Sequence, residues 1–272
     1  MNSESNAIDS LNQRTMGEVV LEYHALVAEG LNSQERAALE SVAAVVRGKR
    51  ILDIGVGAGR TVRPLLAISE DYVGVDYTPQ MIEHCRAQFP GIRFEAADAR
   101  DMRAFAPESF DLVFFSCNGI CMVDHEGRMA ILGEVRRVLA PNGVFIFSTT
   151  NRNSAEYESV YSFPDFQATT NPAKWLVRAG RFAIQSVQRA VNRLRYRRNE
   201  IRTPEYAVIN SIYHHYRVML YFIGMPEQLR QLARAGFAGE VQVYDQKGRP
   251  TTAACRDGTL GYVARKGAIT PS

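Results

Sequence analysis

Short apolar runs at 51–54, 72–76, 92–96, 110–115 and 144–147 punctuate the middle of the chain. The run at 110–115, Phe-Asp-Leu-Val-Phe-Phe, is apolar almost throughout, the pattern of a strand buried on both faces of a parallel sheet. Between the runs the apolar positions switch to helical spacing. Met129, Ile131, Leu132, Val135, Val138 and Leu139 form one stripe behind a capping Asp124, and the stripe stops at Pro141-Asn142-Gly143. A helix is expected from the glycine turn after residue 54 to about Ile68, and Thr78-Pro79 opens another, a cap followed by a first-turn proline. Strands alternating with helices predict an α/β architecture.

Upstream, the first ten or so residues offer little to bury and are expected to lack fixed structure. A helical pattern begins near Met16 with Val19, Val20, Tyr23, Leu26 and Val27. Asn32-Ser33-x-Glu35 then caps a second helix with Ala38, Leu39, Val42, Val45 and Val46 on its apolar face and Gly48 at its end. At the far end, a helix over 226–235 and strands near 241–244 and 260–265 are predicted.

The segment 151–225 is too long for a loop and is expected to be a structured insertion. Its first half is basic: Arg178, Arg181, Arg189, Arg193, Arg195, Arg197 and Arg198 stand between Lys174 and Arg202 against a single acid, Glu200. Trp175, Ala179, Phe182, Val187, Val191 and Leu194 fall at helical intervals, so the stretch reads as a basic amphipathic helix. Three roles fit that pattern: a solvated helix packed over an active site, a docking surface for an anionic substrate or carrier, and a membrane-surface helix. The second half carries Tyr206, Tyr213, Tyr216, Tyr221 and Phe222 with His214 and His215 between them, and alternation from Tyr216 to Phe222 suggests a strand.

Composition narrows the class without deciding it. The 272 residues are 46% hydrophobic, enough for a sizeable core, and the formal charge of +3 is too small to give a global basic field that argues for nucleic acid. Cys85, Cys117, Cys121 and Cys255 form neither a paired framework nor a zinc spacing, so they are expected to be reduced thiols of a cytoplasmic protein. No cluster with metal-ligand spacing is seen. Residues 1–17 lack a basic segment followed by an apolar core, and no apolar run approaches membrane-spanning length; neither secretion nor a transmembrane anchor is expected.

The chemistry concentrates at 50–61, where a strand ends in Asp53-x-Gly55-x-Gly57-x-Gly59. Glycines there let the backbone turn sharply and approach a ligand closely. A dinucleotide fingerprint would need a glycine where Arg60 stands, which argues against a nicotinamide dehydrogenase. An acid about twenty residues further on, Asp76, is positioned to accept the ribose hydroxyls of an adenosine-containing cofactor.

This pattern resembles the first motifs of class I S-adenosylmethionine (SAM) dependent methyltransferases, and the helix, turn and strand over 134–147 resembles their later segment. The resemblance covers about 48–150 with every motif in order. It implies a doubly wound, seven-stranded, mostly parallel Rossmann-like sheet, with the insertion as a lid between the fifth strand and a C-terminal helix and hairpin. The expected parts are an N-terminal helical cap at 1–47, a SAM-binding core at 48–150, a substrate lid at 151–225 and the rest of the core sheet at 226–272.

By the same resemblance, Asp53, Gly55, Gly57, Gly59 and Asp76 would hold the cofactor, with Tyr77 and Met81 beside them. Asp98 would accept from the adenine amine and the Ala99 amide would meet the ring. Ser116 and Cys117 would line the mouth of the fourth strand, and Tyr23 and His24 would cover the cofactor from the N-terminal helix. Cys117 and Cys121 otherwise read as packing thiols, because no basic residue adjoins either in sequence to favour a thiolate. His214 and His215 are general-base candidates, since histidine titrates near neutrality.

The fourth-strand loop lacks the Pro-Pro-aromatic signature of exocyclic-amine methylation and the Pro-Cys of cytosine C5 methylation. The expected activity is therefore transfer of a methyl group to O or N of a small molecule such as a natural product or sugar, with an anionic or carrier-linked acceptor as one option. The alternatives are a nucleic-acid methyltransferase using the basic insertion, and a methyltransferase-like module that binds without turnover. Neither the acceptor nor the oligomeric state can be read from the sequence.

Overall fold

The computed structural model describes residues 3–19, 25–158, 163–164 and 168–267, so Tyr23 and His24 lie outside the described residues. Strands β1 (Ile51–Ile54), β2 (Tyr72–Asp76), β3 (Arg93–Ala96), β4 (Phe110–Phe115) and β5 (Leu139–Asn151) pair in parallel in the order β3-β2-β1-β4-β5. The hairpin of β9 (Phe237–Tyr244) and β10 (Thr259–Lys266) closes this side, with β10 antiparallel to β5 from Val144 to Thr150.

Alternation along β4 explains the double winding. Val113 and Phe115 enter one core layer, and Leu112 and Phe114 enter the other. The first layer also takes Ile131, Leu132 and Val135 of the helix His125–Val138 and Leu232 of the helix Met225–Arg234. The second takes Leu39 of α2 (Ser33–Glu40), Val62 and Leu65 of α3 (Val62–Leu66), and Ile82 of α4 (Pro79–Gln88). Three further helices are α5 (His125–Val138), α6 (Pro172–Tyr196) and α7 (Met225–Arg234).

The structure corrects the expected N-terminus. Helix α1 runs from Ser3 to Glu18, well before Met16, and seats Ile8 and Leu11 in the first core layer. Its buried polar side chains hold it in place. Asn12 donates to the carbonyls of Met122 (2.7 Å) and Met219 (2.9 Å) and accepts from the Met219 amide (2.9 Å), so one side chain pairs with the backbone as a neighbouring strand would. Thr15 adds a bond to the Arg217 carbonyl (2.9 Å).

Ten strands are described instead of seven, because the insertion contributes β6 (Ile201–Arg202), β7 (Tyr206–Ser211) and β8 (Val218–Ile223). The strand expected over 216–222 is β8; its partner β7 lacks a clear alternation in sequence because nearly all of it is buried. This hairpin joins the main sheet where Thr150 and Asn151 of β5 pair with Phe222 and Ile223. Helix α6 stands apart, with no buried residue along its length. Most of its surface is therefore solvated.

Candidate functional site

The carboxyl ends of β1, β2, β3 and β4 open into a cavity of about 420 Å³, within the usual range for a small-molecule site. Its floor is the glycine turn. Gly55 has φ +66° and lies against Phe115, where a Cβ would come within 2.9 Å of the ring. Gly57 has φ +55°, and a Cβ there would meet nothing closer than the Gly55 carbonyl at 3.9 Å, so the side glycine leaves bare is ligand space.

Asp76 ends β2 at the edge of this floor and is 6% exposed. Its carboxylate accepts from the Gly57 amide (3.0 Å) and the Thr78 amide (2.8 Å), which ties the glycine turn to the start of α4. Burial raises the Asp76 pKa, with those two amides pulling the other way. Because the Gly57 N–H is already donated to a carboxylate, the turn is poorly suited to cradle a phosphate.

Tyr77 and Met81 continue the wall, followed by Asp98 and Ala99 after β3, then Ser116 and Cys117 after β4. Asp98 is gripped by Arg100, whose Nη2 lies 2.6 Å from Oδ2 and whose Nε contacts both oxygens. Burial works to raise Asp98, but the Arg100 bonds outweigh it and its pKa falls. Arg100 also donates to Asp9 of α1, so an acid–base–acid trio joins the roof of the cavity to the β3 loop. Asp9, Gln13 and Met16 form that roof. None of these three was expected; their spacing of four and three residues is the only sequence signal, and it is masked by the polarity of Asp9 and Gln13.

Two expected ligand contacts lie beneath the cavity. Asp53 is fully buried, and its Oδ2 accepts from Thr61 (2.5 Å) and Tyr72 (2.8 Å). Gly59 packs against Phe89 and Cys85. His214 and His215 are likewise outside the lining. They occupy the turn between β7 and β8 with φ of +49° and +57°, and the His215 carbonyl accepts from Asn192 of α6 (2.9 Å).

Arg60, the residue that breaks the dinucleotide pattern, is an anchor. It donates to both oxygens of Glu35 (2.6 and 2.7 Å) and to the Gly30 carbonyl (2.6 Å), while Glu35 completes the capping box of α2. Its Nη2 also lies 2.9 Å from Cys117 Sγ, so this thiol does adjoin a base, contrary to its sequence neighbourhood. Although Cys117 is exposed at its surface, desolvation by the surrounding wall pushes its thiol up, with Arg60 pulling it down. Cys121 is buried beside Thr149.

The cavity thus combines three carboxylates, Asp9, Asp76 and Asp98, with a glycine floor and apolar walls from Ile54, Met81 and Phe115. The Tyr77 hydroxyl is buried along it with no hydrogen-bond partner among the described residues. An orphaned donor beside acidic groups suits a polar, cationic ligand with hydroxyls to share.

Comparisons with known proteins agree with this geometry. Residues 51–143 match the family model described as a methyltransferase domain. Over 116 residues the chain is 34% identical to a ubiquinone biosynthesis O-methyltransferase of Cereibacter sphaeroides, covering 41% of this chain and 45% of that protein. Over 108 residues it is 32% identical to a malonyl-[acyl-carrier protein] O-methyltransferase of Halorhodospira halophila, covering 38% and 36%. The chain spans about half the length, or less, of these curated relatives. Among solved structures it is similar to the 1,6-didemethyltoxoflavin-N1-methyltransferase of Burkholderia thailandensis, solved with bound 1,6-didemethyltoxoflavin and S-adenosylhomocysteine. The TM-score there is 0.60 at 13% identity, over 97% of this chain and 91% of that one. It is also similar to the CcbJ methyltransferase of Streptomyces caelestis, with a TM-score of 0.57 at 17% identity over 89% and 92%. At such identities the likeness establishes the fold, the Rossmann-like α/β fold of class I methyltransferases.

Proposed function

We propose that this chain, whose residues 51–143 form a methyltransferase domain, is a SAM-dependent methyltransferase acting on O or N of a small-molecule acceptor. The observation that carries the reading is Asp76, a buried carboxylate fixed by the Gly57 and Thr78 amides at the rim of a glycine-floored cavity. Two backbone donors leave lone pairs on both oxygens for a pair of ribose hydroxyls. Tyr77 and Met81 would flank the nucleoside, and the Ala99 amide would meet the adenine. Asp98 would accept from the adenine amine while Arg100 holds it in place. Asp9 and Asp76 surround the cavity with negative charge that suits a sulfonium.

Bound SAM supplies an electrophilic methyl group, and the chain's task is to align an acceptor atom with it and exclude water. The β4 mouth, Ser116 to Gly119, is the surface left for the acceptor. The name of the H. halophila relative supports an O-acceptor on a carrier, and that of the B. thailandensis enzyme supports a ring nitrogen. An anionic acceptor gains less from the insertion than its arginine count suggests, since Arg193 is paired with Glu200 and lies over Tyr216.

Calorimetry tests the cofactor half. Asp76→Ala is expected to weaken SAM binding by roughly 2–4 kcal/mol, the scale of losing charge-assisted hydrogen bonds in a desolvated site. Unchanged affinity in the folded variant would remove Asp76 from the site. Incubating a metabolite extract with isotope-labelled SAM and the protein, then tracing the label by mass spectrometry, tests the acceptor half.

A further inference from the structure

Helix α6 is the one long element of the described chain with no buried residue. Its apolar residues are nonetheless ordered into a stripe. Leu176 (68% exposed), Val177 (66%), Ile184 (61%), Val187 (63%), Val191 (55%) and Leu194 (75%) all face solvent. At about 100° per residue they fall within an arc of roughly 100° that runs the length of the helix, roughly 38 Å for its 25 residues. A separate arc faces the protein. There Asn192 bonds to the β7–β8 turn and Arg193 pairs with Glu200, so the exposed stripe is not the side by which α6 is attached.

The charged residues of α6 have one sign. Within 172–196 there are Lys174, Arg178, Arg181, Arg189, Arg193 and Arg195 and no acid. These six cations exceed the formal +3 of the whole chain, so the rest of the molecule is net acidic. Lys174 and Arg181 follow directly on one flank of the stripe, and Arg195 lies at its edge; all three are exposed. Two copies of this chain meeting along the stripe would bring six cations against six with no acid on either helix to offset them. No described helix is long and apolar enough to cross a membrane.

We propose that α6 docks this protein on an anionic lipid surface, lying in the plane of the interface with the 176–194 stripe among the acyl chains and Lys174, Arg181 and Arg195 at the headgroups. The charge imbalance orients the molecule, since the acidic remainder is repelled by the surface that attracts α6. The β7–β8 turn that holds α6 also receives α1 through Arg217, so docking would fix the cavity roof relative to the membrane. The inference goes beyond the methyltransferase reading and does not depend on it, because vesicle binding is measured without turnover.

The full chain would be co-sedimented with vesicles of phosphatidylcholine, alone or mixed with phosphatidylglycerol, across a salt series. Retention on the anionic vesicles, weakening as salt rises, is expected, with at least about tenfold less on the neutral ones. Val187→Glu with Leu194→Glu should abolish retention at an unchanged thermal midpoint. Lys174→Gln, Arg181→Gln and Arg195→Gln together should lower it at least about tenfold without touching the stripe, and this set serves if the first variant misfolds. Absence of retention on anionic vesicles at low salt overturns the proposal, as does retention that survives both sets of substitutions. Sedimentation equilibrium showing a dimer that the Glu variant dissociates, in a protein that ignores vesicles, would assign the stripe to a second copy instead.

Discussion

At the scale of single residues, the acids at the strand ends divide by burial into two kinds. Asp76 was legible from its distance past the glycine turn, and the structure puts it on the cavity wall. Asp53 was equally legible as a motif residue, yet it sits under the floor with Oδ1 unpartnered. Spacing along the chain reports which strand end carries an acid; it does not report whether the side chain points up to the ligand or down to Thr61 and Tyr72. The buried position has a measurable consequence. Burial pushes the Asp53 carboxyl up to about 7, against the Thr61 and Tyr72 bonds that pull it down. The folded state therefore holds this proton more tightly than the unfolded chain does. The stability it confers is fully present below pH 4 and is lost as pH rises through about 7. Asp53→Asn should remove that slope, so the stability difference between variant and wild type should change by on the order of 4 kcal/mol between pH 4 and pH 8. Denaturant titrations at several pH values would measure it; parallel profiles for the two proteins would contradict the assignment.

At the scale of elements, the largest departure from the sequence-based expectation is α1. Its inner face mixes Ile8 and Leu11 with Asn12 and Thr15, which bond to backbone at Met122, Met219 and Arg217, so no continuous apolar stripe announced a helix. The opposite failure occurs at α6, where the stripe was plain but its direction was not: amphipathicity says that a face seeks cover and leaves open which surface covers it. Arg60 is a third case. Its partner Glu35 lies 25 residues upstream on another element, so the break in the glycine pattern could be seen and its purpose could not. For α1 the prediction rests on Asn12, which is 1% exposed and satisfies three backbone bonds. Asn12→Ala should cost roughly 2–4 kcal/mol by leaving the Met219 amide and two carbonyls unpaired in the interior. Hydrogen exchange should then show α1 opening ahead of the central strands, and SAM affinity should fall with it. Uniform loss of protection across the sheet would mean that Asn12 supports the whole core and not the roof.

At the scale of the molecule, the insertion divides sharply. Residues 207–209 and 218–223 belong to the same core layer as Leu52, Val113 and Phe147, whereas α6 adds only Tyr196 at its end, partly buried against it. The fully buried Arg128 links these parts with neutral acceptors alone. It bonds to the Ile120 carbonyl, Thr149, Gln228 and Gln231, and it lies over the Tyr221 ring at 4.6 Å. A shared core predicts shared unfolding: core and hairpin should melt in one calorimetric transition whose calorimetric and van't Hoff enthalpies agree. A separate transition for the 199–223 region would make the insertion a domain of its own. The central sheet was legible because buried parallel strands are written as apolar runs. The β7–β8 hairpin was half legible, because its attachment to β5 through only Thr150 and Asn151 leaves little pattern in either partner.

The seating of Asn12 on Met219 also sets an order of events during synthesis. The two residues are 207 apart, so at ribosomal rates of about 5–20 residues per second α1 waits roughly 10–40 s for the strand that receives it. Throughout that interval Ile8 and Leu11 have no completed layer to enter. Nascent chain whose α1 is made but whose β8 is not should therefore expose those side chains to chaperones, and the cavity should acquire its roof only once β8 has been made.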